Sequence, residues 1–142
     1  MRARLDLRAA AAVLADGDPT MAEIARRLGV AKPTLYKLVG SRGELVRACV
    51  ETEAERVLGH LYERAGSERG LAEVTAALDA YAGDSPGGFR LLFERRGPEA
   101  EAALRRLETW LGGVRGAALL GAAAAVVSRA RAEGVTARAP AL

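Results

Sequence analysis

Apolar residues recur at intervals of three and four along most of the chain, and strand-forming runs of Val, Ile and Thr are nearly absent. That pattern predicts an all-α protein. A first helix is expected from about Leu5 to Ala15, with Leu7, Ala10, Ala11 and Leu14 on one stripe and "DGDP" ending it. A second opens at "TMAE", where Thr20 and Glu23 have the spacing of a capping box. Met21, Ile24, Ala25 and Leu28 form its inner stripe, Arg26 and Arg27 point outward, and Gly29 supplies a left-handed stop. A short third helix runs from about Lys32 to Val39, with Pro33 in its first turn, Leu35 and Leu38 or Val39 turned inward, and Gly40 behind it.

"SRGE", Ser41 to Glu44, is a second capping box and opens a long fourth helix to about Ala65. Leu45, Ala48, Cys49, Thr52, Arg56, Val57 and Leu61 would form its inner face, and Glu51, Glu53 and Glu55 a solvated one. Beyond "AGSERG" the pattern predicts a helix from Leu71 to Tyr81, a loop at "GDSPGG" and a helix from Phe89 to Arg96. Another helix starts near Pro98, with Leu104, Leu107, Leu111 and Val114 in a 3-4-3 seam broken by Gly112 and Gly113. The last would span Val114 to Ala132 and leave "EGVTARAPAL" loose.

Charge changes this picture. The 142 residues carry a net +3, but residues 1–50 hold nine Lys or Arg against five Asp or Glu, and the rest twelve against thirteen. A basic first third joined to a near-neutral remainder is the footprint of a polyanion-binding module. Arg2 and Arg4 add a short basic arm. The single Cys49 excludes an internal disulfide framework and suits a reducing compartment. No signal-peptide pattern is apparent, and the longest apolar run, Ala117 to Val127, falls short of the ~20 residues of a membrane span. The expected setting is cytoplasmic, without a membrane partner.

Two helices joined by a tight glycine turn, the second short and cationic, make a helix-turn-helix. Lys32 and Lys37 can reach guanine O6/N7 or phosphate, Pro33 and the Thr34 methyl can touch a thymine methyl, and the Tyr36 hydroxyl can donate to phosphate. Arg42, in the first turn of the next helix, is placed to hold another phosphate. The alternative is a small helical core with a solvated basic edge.

Thr20, "IA" at Ile24-Ala25, "GV" at Gly29-Val30, "TLY" at Thr34-Leu35-Tyr36, then Ser41-Arg42 and Glu44-Leu45 follow in order. The stretch from about Leu7 to Glu51 resembles the DNA-binding domain of the TetR family of transcriptional repressors, closest to its tetracycline-repressor branch. The resemblance implies a three-helix DNA-binding domain at residues 1–48, joined by the long helix to a ligand-sensing and dimerisation bundle at 49–142. It implies a homodimer, a near-palindromic double-stranded operator, and release by a small-molecule effector. Thr20, Tyr36 and Arg42 would hold phosphates, and Lys32, Pro33, Thr34 and Lys37 would face the major groove. Ala22, Ala31, Leu38 and Arg42 depart from residues common in the family, so the operator should be the chain's own. The helix-turn-helix also resembles that of resolvase and invertase recombinases, which implies DNA binding without a ligand response. A helical interaction protein that has lost DNA binding is the remaining reading.

In the second half, His60, Tyr81, Phe89, Phe93 and Trp110 are the scarce residues a ligand cavity would use, with ordinary core packing as their other reading. Ala118, Gly121, Ala122, Ala125 and Val126 offer a small-residue stripe for pairing the last helices of two copies, or for packing within one. No catalytic, metal or cofactor set emerges. His60 and Cys49 lie 11 residues apart on one helix, about 16 Å, too far for a dyad.

Overall fold

The computed structural model describes residues 5–64 and 71–138, and among them it contains helices and their connecting turns. The arm at Arg2 and Arg4, the linker at 65–70 and residues 139–142 lie outside the described residues. α1 (Leu7–Ala15) starts where the Asp6 carboxylate accepts the Ala9 N–H at 3.1 Å, so Asp6 caps the helix rather than joining it. α2 (Met21–Leu28) carries the expected capping box in full, Thr20 and Glu23 each serving the other's backbone. α3 (Lys32–Val39) begins with Pro33 in its first turn, and Gly40 closes it with φ 89°.

α4 (Arg42–Arg64) has 23 residues, about 35 Å of helix, and is the spine of the molecule. It packs on α1, on α5 (Leu71–Asp84) and on α7 (Pro98–Leu111). α8 (Gly113–Arg138) lies along α5. Buried side chains form one continuous cluster from Ala10 in α1 to Val126 in α8. The boundary expected at residue 48 thus falls inside a helix that both halves share.

Two expectations need correction. α8 continues through Arg138 rather than stopping at Ala132. "GDSPGG" is not a loop. α5 runs on to Asp84, and the Ser85 N–H still donates to the Tyr81 carbonyl at 2.8 Å. Pro86 then opens α6 (Pro86–Phe89), where its missing N–H costs nothing. Gly87 and Gly88 serve close approach instead of a turn, whereas Gly83 faces open space. A Cβ on Gly87 would meet the Ala12 Cα at 2.6 Å, so α6 and α1 touch backbone to backbone. Gly88 leaves the space that a carboxylate from α4 occupies. Past α6 the chain forms a π-helical segment (Arg90–Arg95), closed by the Arg96 N–H reaching the Leu91 carbonyl five residues back. Arg96 sits at φ 50°, its guanidinium held on Glu101 at 2.7 and 3.3 Å.

Candidate nucleic-acid interface

Gly29, at φ 72° and ψ 29°, makes the turn between α2 and α3, and the Val30 N–H reaches back to the Ala25 carbonyl at 3.0 Å. Only Gly adopts that backbone freely. Leu35 is fully buried and pins α3 to the core, leaving Lys32, Pro33, Tyr36 and Lys37 exposed and Thr34 half-buried. Val39 turns partly inward, and Leu38 stays outside. Ala31 caps α3 with no side-chain hydrogen bond. The only two lysines of the chain are both on this short helix. Among the described residues, Lys32, Lys37 and the exposed Arg26 form no ion pair, so their charge is uncommitted.

Two other residues expected at the phosphates are engaged inside the chain. The Thr20 hydroxyl accepts from the Glu23 N–H and donates to the Glu23 carboxylate, both at 3.2 Å. Arg42 donates through Nε to the Pro19 carbonyl and through Nη2 to Asp18, both at 2.9 Å. Its guanidinium ties the first turn of α4 to the α1–α2 loop. Of the second expected capping box, the Ser41 hydroxyl accepts the Glu44 N–H at 3.1 Å, while the Glu44 carboxylate lies over Gly40.

Asp16, at the end of α1, joins the two halves. Its carboxylate accepts from Arg27 of α2 at 2.8 Å and from Arg90 of the π segment at 2.7 Å. The hydrogen bonds from Arg27 and Arg90 hold its pKa below the ordinary 3.8. A depressed acid stabilises the fold above its unfolded pKa and loses that contribution as pH falls through the lower folded value. Asp16→Asn should therefore lower thermal stability at neutral pH, and the gap to wild type should close on acidification well below pH 3.8. Melting curves across that range check it.

Four of the five residues expected to line a ligand cavity come together, as packed side chains, and Trp110 stands apart from them. His60, Tyr81, Phe89 and Phe93 make a chain of ring contacts with centroids 6.0, 6.3 and 5.1 Å apart. Tyr81, Phe89 and Phe93 are buried core side chains. His60 Nε2 lies 3.5 Å from Asp84. Trp110 is elsewhere, 45% exposed and packed edge-on against Tyr62 at 5.1 Å. It borders an open groove of about 440 Å³ between α4 and α7.

The acids of α4 also divide differently from the expected solvated face. Glu51 and Glu55 are exposed, but Glu53 is fully buried. Its Oε1 accepts from the Tyr81 hydroxyl at 2.9 Å and the Ser85 hydroxyl at 2.7 Å, and Oε2 faces Arg56 Nε at 3.3 Å. Burial, then the Glu53 charge, raise the Tyr81 pKa strongly. Cys49 is buried one turn away, its thiol over the Leu7 carbonyl, and burial followed by the Glu53 charge pushes it up to about 12. That leaves it protonated and unreactive. On α8, Ala122 and Val126 are buried inside the chain, so only Gly121, Ala125 and the half-buried Ala118 of the expected stripe are open to a second copy.

Residues 7–49 match the sequence profile of the bacterial regulatory proteins of the tetR family. No curated protein matches the chain. Among the described residues, no helix is long and apolar enough to cross a membrane.

Proposed function

We propose, from the tetR-family match over residues 7–49, that the chain is a DNA-binding transcriptional regulator of the TetR family and a repressor, released from its operator by a small molecule. Pro33 and Thr34 read the major groove, and the two lysines of α3 face it and reach base edges and the flanking phosphates. The Tyr36 hydroxyl fixes the register on a phosphate, joined by Thr20 once its hydroxyl turns from the Glu23 carboxylate. The exposed, unpaired Lys32 and Lys37 on a helix pinned by Leu35 carry this reading. Two copies pair to meet a near-palindromic operator about one duplex turn between half-site centres. The protein is not an enzyme and works at the nucleoid in the bacterial cytoplasm.

Arg42 supports a release mechanism. α4 carries both the candidate effector groove and, through the Arg42–Asp18 clamp, the loop leading into α2. The Gly87–Ala12 contact and the Asp16–Arg90 pair add a second link between the halves. A ligand that shifts α4 against α7 would thus reposition α3.

Duplex DNA from upstream of the gene, titrated with wild type and Tyr36→Ala, tests the proposal. Tyr36→Ala should weaken binding roughly tenfold, the loss of one phosphate hydrogen bond and its packing. Equal binding of the variant, or equal binding to an unrelated duplex, would refute it.

A further inference from the structure

The groove between α4 and α7 carries charge of its own. Glu51 and Glu55, one turn apart on α4, stand on one wall. Leu58 and Leu107 give the floor, and Arg106 and the exposed Trp110 come from α7. Among the described residues, neither Glu51, Glu55 nor Arg106 makes an ion pair. In a protein of net +3 this concavity is locally negative, with two carboxylates against one guanidinium.

We propose that the α4–α7 groove binds a lipophilic organic cation, with Glu51 and Glu55 as counter-charges and Trp110 as the aromatic wall. The inference rests on the reading of the helical half as ligand-responsive, and names the ligand class. A volume of about 440 Å³ suits one small molecule. A neutral apolar ligand would strip water from two carboxylates and return nothing. An anion would be repelled by them. A cation with an apolar body answers both features at once, since it neutralises the carboxylates, meets the indole ring and covers the leucine floor. Arg106, on the opposite wall, selects against small hydrated cations that lack an apolar part to offset its repulsion.

Trp110 is the only tryptophan, so its fluorescence reports on this groove directly. The probes are tetraphenylphosphonium and tetraphenylborate, nearly the same shape with opposite charge. Full-length protein should bind the cation saturably and the anion at least tenfold more weakly. Glu51→Gln combined with Glu55→Gln should weaken cation binding roughly tenfold, the sum of two exposed charge contacts. Arg106→Gln should tighten it, a gain that a purely structural role would not give. Equal affinity for the two probes, or an unaffected double variant, overturns the proposal. So does a Trp110 signal that follows protein concentration alone, which would make the groove a contact between copies. DNA binding measured on the same samples separates the two readings. A cation that binds without loosening DNA leaves this site standing and removes the release mechanism. DNA binding with no cation binding removes this site only.

Discussion

Replacing Glu53 by alanine is expected to cost about 3 kcal/mol of folding free energy, while Glu51→Gln or Glu55→Gln changes it by less than about 0.5 kcal/mol. The three acids sit within five residues of one helix, so their difference lies in environment alone. Glu53 is wholly buried and satisfies the Tyr81 and Ser85 hydroxyls, which come from the end of α5 and the start of α6. Removing the carboxylate strands both donors at roughly 1–3 kcal/mol each, offset in part where a water can enter the space. It also leaves Arg56, about a third exposed, without its partner. Glu53→Gln, which keeps one acceptor, should fall between alanine and wild type. Urea denaturation at constant m-value measures all four variants. The account fails if Glu53→Ala lies within 1 kcal/mol of wild type. A double-mutant cycle with Tyr81→Phe should show coupling, because the two share one hydrogen bond.

Glu53 also shows where the sequence was legible and where it was misread. Leu45, Cys49, Val57 and Leu61 are buried at steps of four, and Glu53 completes that row. An acid's usual exposure argues for the solvated face, and its place in the row argues for the core. Thr20–Glu23, Gly29, Pro33 and Gly40 were legible because each acts through its own backbone within a turn, with no need of the rest of the fold. "GDSPGG" was misread for the converse reason. Its Gly87 and Gly88 are set by Ala12 and by the Glu53 carboxylate, neighbours tens of residues away in sequence. The Arg42–Asp18 and Asp16–Arg90 pairs have the same character, spanning 24 and 74 residues. Local chemistry marked the exposed cationic face of α3 as the candidate reading face. The links from that face to the helical half are long-range, and only the packed structure reveals them.

Alanine at both Lys32 and Lys37 should flatten the salt dependence of duplex binding as well as weaken it. Each phosphate neutralised contributes about 0.9 to the slope of log K against log salt. Arg26, Lys32 and Lys37 are the exposed, unpaired cations of α2 and α3, whereas Arg27 is held by Asp16 and Arg42 by Asp18. Three contacts in each copy of a dimer give a slope of roughly −5, or about 10³ in affinity between 50 and 200 mM salt. The double variant keeps one contact per copy, a slope near −2, and should lose only about tenfold over the same range. Asp18→Asn runs the other way, because Arg42 freed from its clamp adds a phosphate contact and steepens the slope. Fluorescence anisotropy at four salt concentrations resolves these slopes. Because α3 holds both lysines of the chain, amine-selective labelling with and without duplex gives an independent readout. Protection of Lys32 and Lys37 by DNA would place the duplex on α3. Full labelling in the presence of saturating duplex would mean that the bound DNA lies elsewhere, whatever the slopes show.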